Sequence, residues 1–187
     1  MLQNNIQPIL IPHIAHKYFE FLISGKILNI SDQVTYEYML EICQNYQIIK
    51  NYIDIVEDQH IGKMLRANTQ MPPNTDLIYT GTVHIIPVDQ RIIIQDPTYL
   101  LCCTIKNSIK IKIYIDASDP NTAIARFTMH APSVTTLDLN IMIANMKFRI
   151  LWTIKDQQLY ILVVQRSIRI IKQYELLAID YGTEYWI

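Results

Sequence analysis

The sequence predicts a mainly β fold preceded by an α-helical N-terminal region, and three observations carry that prediction. Apolar residues recur every three or four positions as far as Ile53. From about Asp58 the pattern changes to short alternating runs separated by turn residues. Half of the 187 residues are hydrophobic, enough to bury a substantial core in a domain of ordinary size. The division expected from these patterns is a helical region over residues 1–57 and a β domain over 58–187.

The first helix is expected to align Ile11, Ile14, Tyr18, Phe21 and Leu22 on one face and to end near Gly25. Ser31 is a suitable N-cap for the second helix. Its stripe runs through Met39, Ile42, Cys43, Tyr46, Ile49 and Ile53, with Glu37, Glu41 and Gln44 away from it. Met and aromatic residues at this spacing are expected to be core. Met71-Pro72-Pro73-Asn74-Thr75 is a turn, because neither a helix interior nor a central strand accommodates it. A strand is expected over residues 76–86. Over 108–115, Ile109, Ile111, Ile113 and Ile115 fall on one face and Lys110, Lys112 and Tyr114 on the other. Residues 146–153 and 158–165 should form a hairpin about Lys155-Asp156-Gln157, and a last strand should cover 175–180. No internal repeat is visible in the residues.

Sixteen basic and seventeen acidic residues leave a formal charge of -1, an argument against a nucleic-acid partner. Two basic groups, Lys106, Lys110 and Lys112, then Arg166, Arg169 and Lys172, are expected on solvated strand faces. Cys43, Cys102 and Cys103 have neither a disulfide framework nor zinc-ligand spacing, so no metal is expected. Reduced thiols in a soluble, cytoplasm-like compartment are the simplest account. No apolar run is long enough for a membrane helix, and the start, MLQNNIQ, does not follow the order of a signal peptide. Export into a host cell remains compatible with the sequence without being indicated by it.

Six segments then bring a family into view. Residues 174–186, with Glu175, Leu176, Leu177, Asp180-Tyr181-Gly182 and Tyr185-Trp186, resemble the closing G-E-E-L-x-F-D-Y-G-x-x-Y-W motif of SET domains. Gly62-Lys63-Met64-Leu65-Arg66-Ala67 resembles the opening G-x-G-x-x-A segment, and Met71 to Thr75 stands where the family has I-P-K-G-T. Tyr79-Thr80-Gly81 looks like Y-x-G. Ile115-Asp116-Ala117, Asn121 and Ala125-Arg126-Phe127 look like I-D-A and G-N-x-A-R-F. Met129-His130-Ala131-Pro132 stands at N-H-S-C. The resemblance covers residues 58–187 in family order. It implies the SET β-clip fold, short sheets closed by a C-terminal pseudoknot, in a compact member without flanking zinc segments.

The resemblance also implies an activity, methyl transfer from S-adenosylmethionine to the ε-amine of lysine in a protein, with histone tails as the most familiar substrate class. Such chemistry needs a neutral amine, and a free lysine has a pKa of about 10.4. Desolvation in a narrow channel lowers that value, and the rest is alignment. Tyr181 is the first catalytic candidate and Tyr79 the second. The implied cofactor residues are Gly62, Lys63, Met64, Arg126, Met129, His130, Asn145 and Tyr181, and the implied substrate channel contains Tyr79, Ile179, Tyr185 and Trp186. Ile179 stands where the family has Phe or Tyr, so multiple methylation is expected to be sterically allowed.

Departures from the pattern keep a second reading open. Met129, Ala131 and Pro132 replace the Asn, Ser and Cys of N-H-S-C, Met64 replaces a glycine, and residues 133–143 form an insertion before Asn145. The alternative is a catalytically inactive SET fold that binds a peptide or partner. A β-rich structural domain lacking the threaded C-terminal segment is a third possibility. A homodimer is compatible with the absence of flanking segments, as is a role as a secreted bacterial effector acting on host chromatin.

Overall fold

A computed structural model describes residues 6–11, 31–87, 89–90, 100–105, 111–119, 124–131, 143–156 and 158–180. The first expected helix lies outside them, except for Ile11. That residue ends strand β1 (Ile9–Ile11).

The second expected helix is present as α1 (Tyr36–Lys50), and Met39, Ile42, Cys43 and Tyr46 of its stripe are buried. Burial pushes the Cys43 thiol up to about 11, which makes it an inert core residue. Both ends of the stripe need correction. Ser31 belongs to β2 (Ser31–Gln33), and Thr35 is the N-cap, its Oγ1 accepting from Tyr38 N at 3.1 Å. The cap moves because β2 pairs in parallel with residues 150–152, and Asp32 takes both ends of the Arg149 guanidinium. Ile53, in phase with the helix, opens β3 (Ile53–Asp58) instead.

Backbone contacts divide the chain into two compact units. One comprises residues 1–44, 79–123 and 149–163; the other comprises 45–78, 124–148 and 164–187. The expected hairpin is β10 (Met146–Lys155) and β11 (Gln158–Ser167), neighbours in one sheet, whose residues 149–163 fall in the first unit. Asp156, in the connection, has the positive φ of 50° that tight hairpin loops require.

The first unit also holds a three-stranded antiparallel sheet, β6 (Thr82–Pro87), β8 (Ile111–Asp116) and β7 (Leu100–Ile105), in spatial order β6-β8-β7. Residues 76–86 therefore do not form one strand. They break after β5 (Asp76–Ile78), the last residues of a stretch of the second unit, and Tyr79 to Gly81 open a stretch of the first. Gly81 is required by close approach: a Cβ there would stand 2.3 Å from the Asp116 carbonyl oxygen. The Y-x-G and I-D-A segments thus meet backbone to backbone.

In the second unit β3 pairs with β4 (Gly62–Ala67) in an antiparallel ribbon. A backbone repeat appears here that the residues do not advertise. Residues 65–78 and 165–178 follow equivalent paths one hundred positions apart, Gln165 pairing with Leu77 as Leu65 bonds to Leu177, and they bond to each other reciprocally. Met71 N donates to Ile171 O at 2.9 Å, and Ile171 N donates to Met71 O at 3.0 Å. Asn74 N donates to Ser167 O, as Tyr174 N does to Ala67 O; Ser167 N donates to Thr75 O, as Ala67 N does to Glu175 O. Asn74 and Tyr174 have matching φ values of 64° and 67°, and both stand where the family motifs carry glycine. Only Arg66 and Leu77 share residue type with their counterparts, Arg166 and Leu177, so the repeat is one of main-chain bonding.

Candidate cofactor site

The second unit is organised around a threaded C-terminal segment. Residues 175–177 bond to β4 on one side: Ala67 N donates to Glu175 O, and Leu177 N donates to Leu65 O, both at 2.9 Å. On the other side, β12 (Ala178–Ile179) lies parallel to β9 (Met129–His130) and to the start of β10. Met129 N donates to Leu177 O and Ala131 N to Ile179 O, each at 3.0 Å. The strand expected over 175–180 is thus a short ladder held between two others.

Asn145 fastens this segment. It is fully buried, and every polar group of its side chain is used. Its Nδ2 donates to Leu176 O at 2.8 Å and to Glu175 Oε1 at 3.1 Å, while Oδ1 accepts from Ala178 N at 2.9 Å. The side chain of Glu175 also takes Arg169 Nη2 at 2.5 Å and Lys172 N at 2.8 Å. Burial alone would raise the Glu175 pKa, but these three donors together hold it below its ordinary value of 4.5. Its contribution to stability is therefore present above that value and lost as pH falls through the folded one. Glu175→Gln should lower the denaturation midpoint at pH 7, and the gap to wild type should narrow as pH falls below 4.5. A gap independent of pH would refute the assignment.

Those of the expected cofactor residues that are described beside the segment lie in β4, in residues 124–127 and in β9. Gly62, at the start of β4, has a φ of 87°, and among the described residues no atom beyond its chain neighbours lies within 4 Å of where its Cβ would stand. Lys63 is exposed, and its Nζ is 5.9 Å from the centre of the Phe127 ring. Met64 is buried. A 3-10 turn, Ile124–Phe127, packs against β4 and carries Arg126, whose guanidinium is 5.0 Å from the same ring. Two cations therefore flank one aromatic ring next to an open stretch of main chain. Met129 and the main chain of His130 follow in β9; the His130 side chain is outside the description.

Of the other expected site residues, the structure describes Ile179 and Tyr79. Ile179 is fully buried in β12. Tyr79 is buried in the first unit, its N–H donating to Val163 O at 2.9 Å. Tyr181, Tyr185 and Trp186 lie outside the described residues. The expected solvated face of Arg166, Arg169 and Lys172 is largely one of ion pairs. Arg166 holds Asp76 through two bonds at 2.7 and 2.8 Å, and Arg169 holds Glu175. Phe127 was visible in the A-R-F segment, but its role as the ring shared by two cations was not, because Lys63 is distant in sequence.

The donor set suits S-adenosylmethionine. Lys63 and Arg126 match an amino-acid carboxylate, and the open main chain at Gly62 permits close approach of a ligand. Among the described residues no group of His, Cys, Asp and Glu could hold a metal ion, and no helix is long and apolar enough to cross a membrane.

No family model matches the chain, and no curated protein matches it. Solved structures do. ATXR5 bound to histone H3.1 mono-methylated on an arginine is 20% identical, with a TM-score of 0.53 over 83% of this chain and 74% of that one. The ATXR5 SET domain bound to histone H3 di-methylated on an arginine is 21% identical, with a TM-score of 0.53 over 81% of this chain and 69% of that one. The chain has the SET fold, mainly β, as the motif order implied.

Proposed function

We propose that the chain transfers a methyl group from S-adenosylmethionine to the ε-amine of lysine in a protein substrate, with histone tails as the first substrates to test. The observation that carries the proposal is the Lys63–Phe127–Arg126 cluster on a unit closed by the threaded strand. S-adenosylmethionine, when bound, supplies a methyl group activated by its sulfonium. Lys63 and Arg126 bind the carboxylate end, and the main chain from Gly62 to Met64 and at Met129 and His130 forms the wall. Asn145 acts from behind, by holding the strand that leads to Tyr181. The Tyr181 hydroxyl orients the incoming amine, which must be neutral to attack. Exclusion of water around the lysine stem, the role proposed for Tyr185 and Trp186, favours loss of the ammonium proton.

Labelled-methyl transfer to histones and to whole-cell extract tests the proposal. Tyr181→Phe should lower the rate by about 100-fold, in the range for one positioned group in a water-excluded site, while cofactor affinity changes little. An unaltered rate in that variant would remove Tyr181 from the chemistry. Ile179 offers no hydroxyl to hold a water, so di- and trimethyl products are expected by mass spectrometry. A product arrested at monomethyl would contradict this.

The second reading, an inactive SET fold that binds a peptide, is favoured by Met64 and Met129, which replace motif residues. The N-terminal part that carries α1 would then be its partner-binding part. Saturable cofactor binding without transfer to any protein would select it.

A further inference from the structure

We propose that Gln165 and Thr128 are positioning residues for the cofactor, their buried hydrogen bonds setting the 3-10 turn that presents Arg126 and Phe127. This inference rests on the cofactor reading above.

The backbone repeat supplies an internal control. Gln165 in β11 is the counterpart of Leu65 in β4, and both are fully buried. Leu65 shows that a strand of this path needs only an apolar side chain at that place. An amide there costs desolvation unless each group finds a partner. Gln165 finds its partners in one short stretch. The Thr128 hydroxyl donates to Gln165 Oε1 at 2.5 Å, and Gln165 Nε2 donates to Ala125 O at 3.2 Å. Thr128 N closes the same turn on Ala125 O at 3.2 Å.

The two bonds therefore strut both ends of residues 125–128 from β11. Between those ends sit Arg126, half-buried, and Phe127, buried and flanked by the Arg126 and Lys63 cations. Ala125 is too small to fix the turn by packing alone. A displacement of about 1 Å at such a point is enough to cost binding and alignment.

The test uses the full chain and three variants: Gln165→Leu, which installs the counterpart residue, Thr128→Val, and the two combined. The combined variant removes both partners of the Thr128–Gln165 bond, so neither is left facing the other unpaired, and its melting temperature should fall less than in either single variant. Hydrogen exchange of residues 124–130 should nevertheless quicken locally. S-adenosylmethionine binding by calorimetry should weaken about tenfold. Exchange and affinity both unchanged would overturn the proposal. So would exchange rising uniformly with a matching fall in melting temperature, since that marks a purely structural role. If wild type itself binds no S-adenosylmethionine, the functional reading falls. The exchange result then decides alone: a local change supports the strut, and a uniform change or none overturns it.

Discussion

Asn145→Ala should lower stability by about 3 kcal/mol, and the melting temperature by roughly 10 °C for a domain of this size. The reason lies in what is left behind. Removing the amide leaves Leu176 O and Ala178 N without their partners, and Ala178 is fully buried. A buried main-chain group left unsatisfied costs about 1–3 kcal/mol, more than the bond itself contributes. Glu175 loses one of three donors at the same time. Asn145→Asp is the informative companion. It keeps the acceptor for Ala178 N but sets a second carboxylate 3.1 Å from Glu175 Oε1. It should therefore fail to rescue at pH 7 and recover toward pH 4 as one carboxyl takes up a proton. Denaturant melts of the two variants across that range check both statements. An Asn145→Ala melt like wild type would mean that the threaded strand is held without the amide.

Gly81→Ala should cost about 3 kcal/mol or more, and a variant that does not accumulate as folded protein is the expected extreme. The added methyl would meet the Asp116 carbonyl oxygen at 2.3 Å, its carbon at 2.7 Å and Ile115 Cγ2 at 3.0 Å. The first two are main-chain atoms in β8, which is paired on both sides and cannot withdraw without opening the three-stranded sheet. Gly62→Ala is the natural contrast, since its Cβ meets nothing and only the left-handed backbone resists it. About 1–2 kcal/mol is expected there. Thermal melts in which Gly62→Ala proved the more damaging would invert the two glycine roles.

Much of this was legible in the residues because it depended on local spacing. The stripe of α1, the hairpin of β10 and β11, and the turn at Pro72-Pro73-Asn74 are each set within one element. What the sequence concealed depended on pairing between distant residues. Ser31 lost the cap to Thr35 because Arg149, more than a hundred positions later, draws Asp32 into a strand. The break within residues 76–86 is hard to see as periodicity, since Tyr79 extends the apolar run of Leu77 and Ile78 and Thr80 is an ordinary strand residue, which leaves Gly81 as the one local signal. The repeat about Met71 and Ile171 escaped because main-chain bonds carry it.

The candidate site was legible only as an order of motifs. Composition and charge gave no indication of Lys63 and Arg126 meeting at Phe127, because each alone is an ordinary surface or strand residue. Gln165 was unreadable for the opposite reason: one amide following the hydrophobic run of β11 looks like the polar end of a strand. Its burial, and its two bonds to the 3-10 turn, appear only in the fold. Asn145 was found through its motif but expected at the cofactor. The structure shows all the polar groups of its side chain committed to Glu175, Leu176 and Ala178.

Calorimetric titration with S-adenosylmethionine and its demethylated product, on wild type and on Lys63→Ala/Arg126→Ala, tests the central claim most directly. Saturable binding by wild type, weakened at least tenfold in the double variant while the melting temperature holds, is the predicted result. No binding by folded wild type, or equal binding by both proteins, would contradict a cofactor site built on Lys63, Phe127 and Arg126.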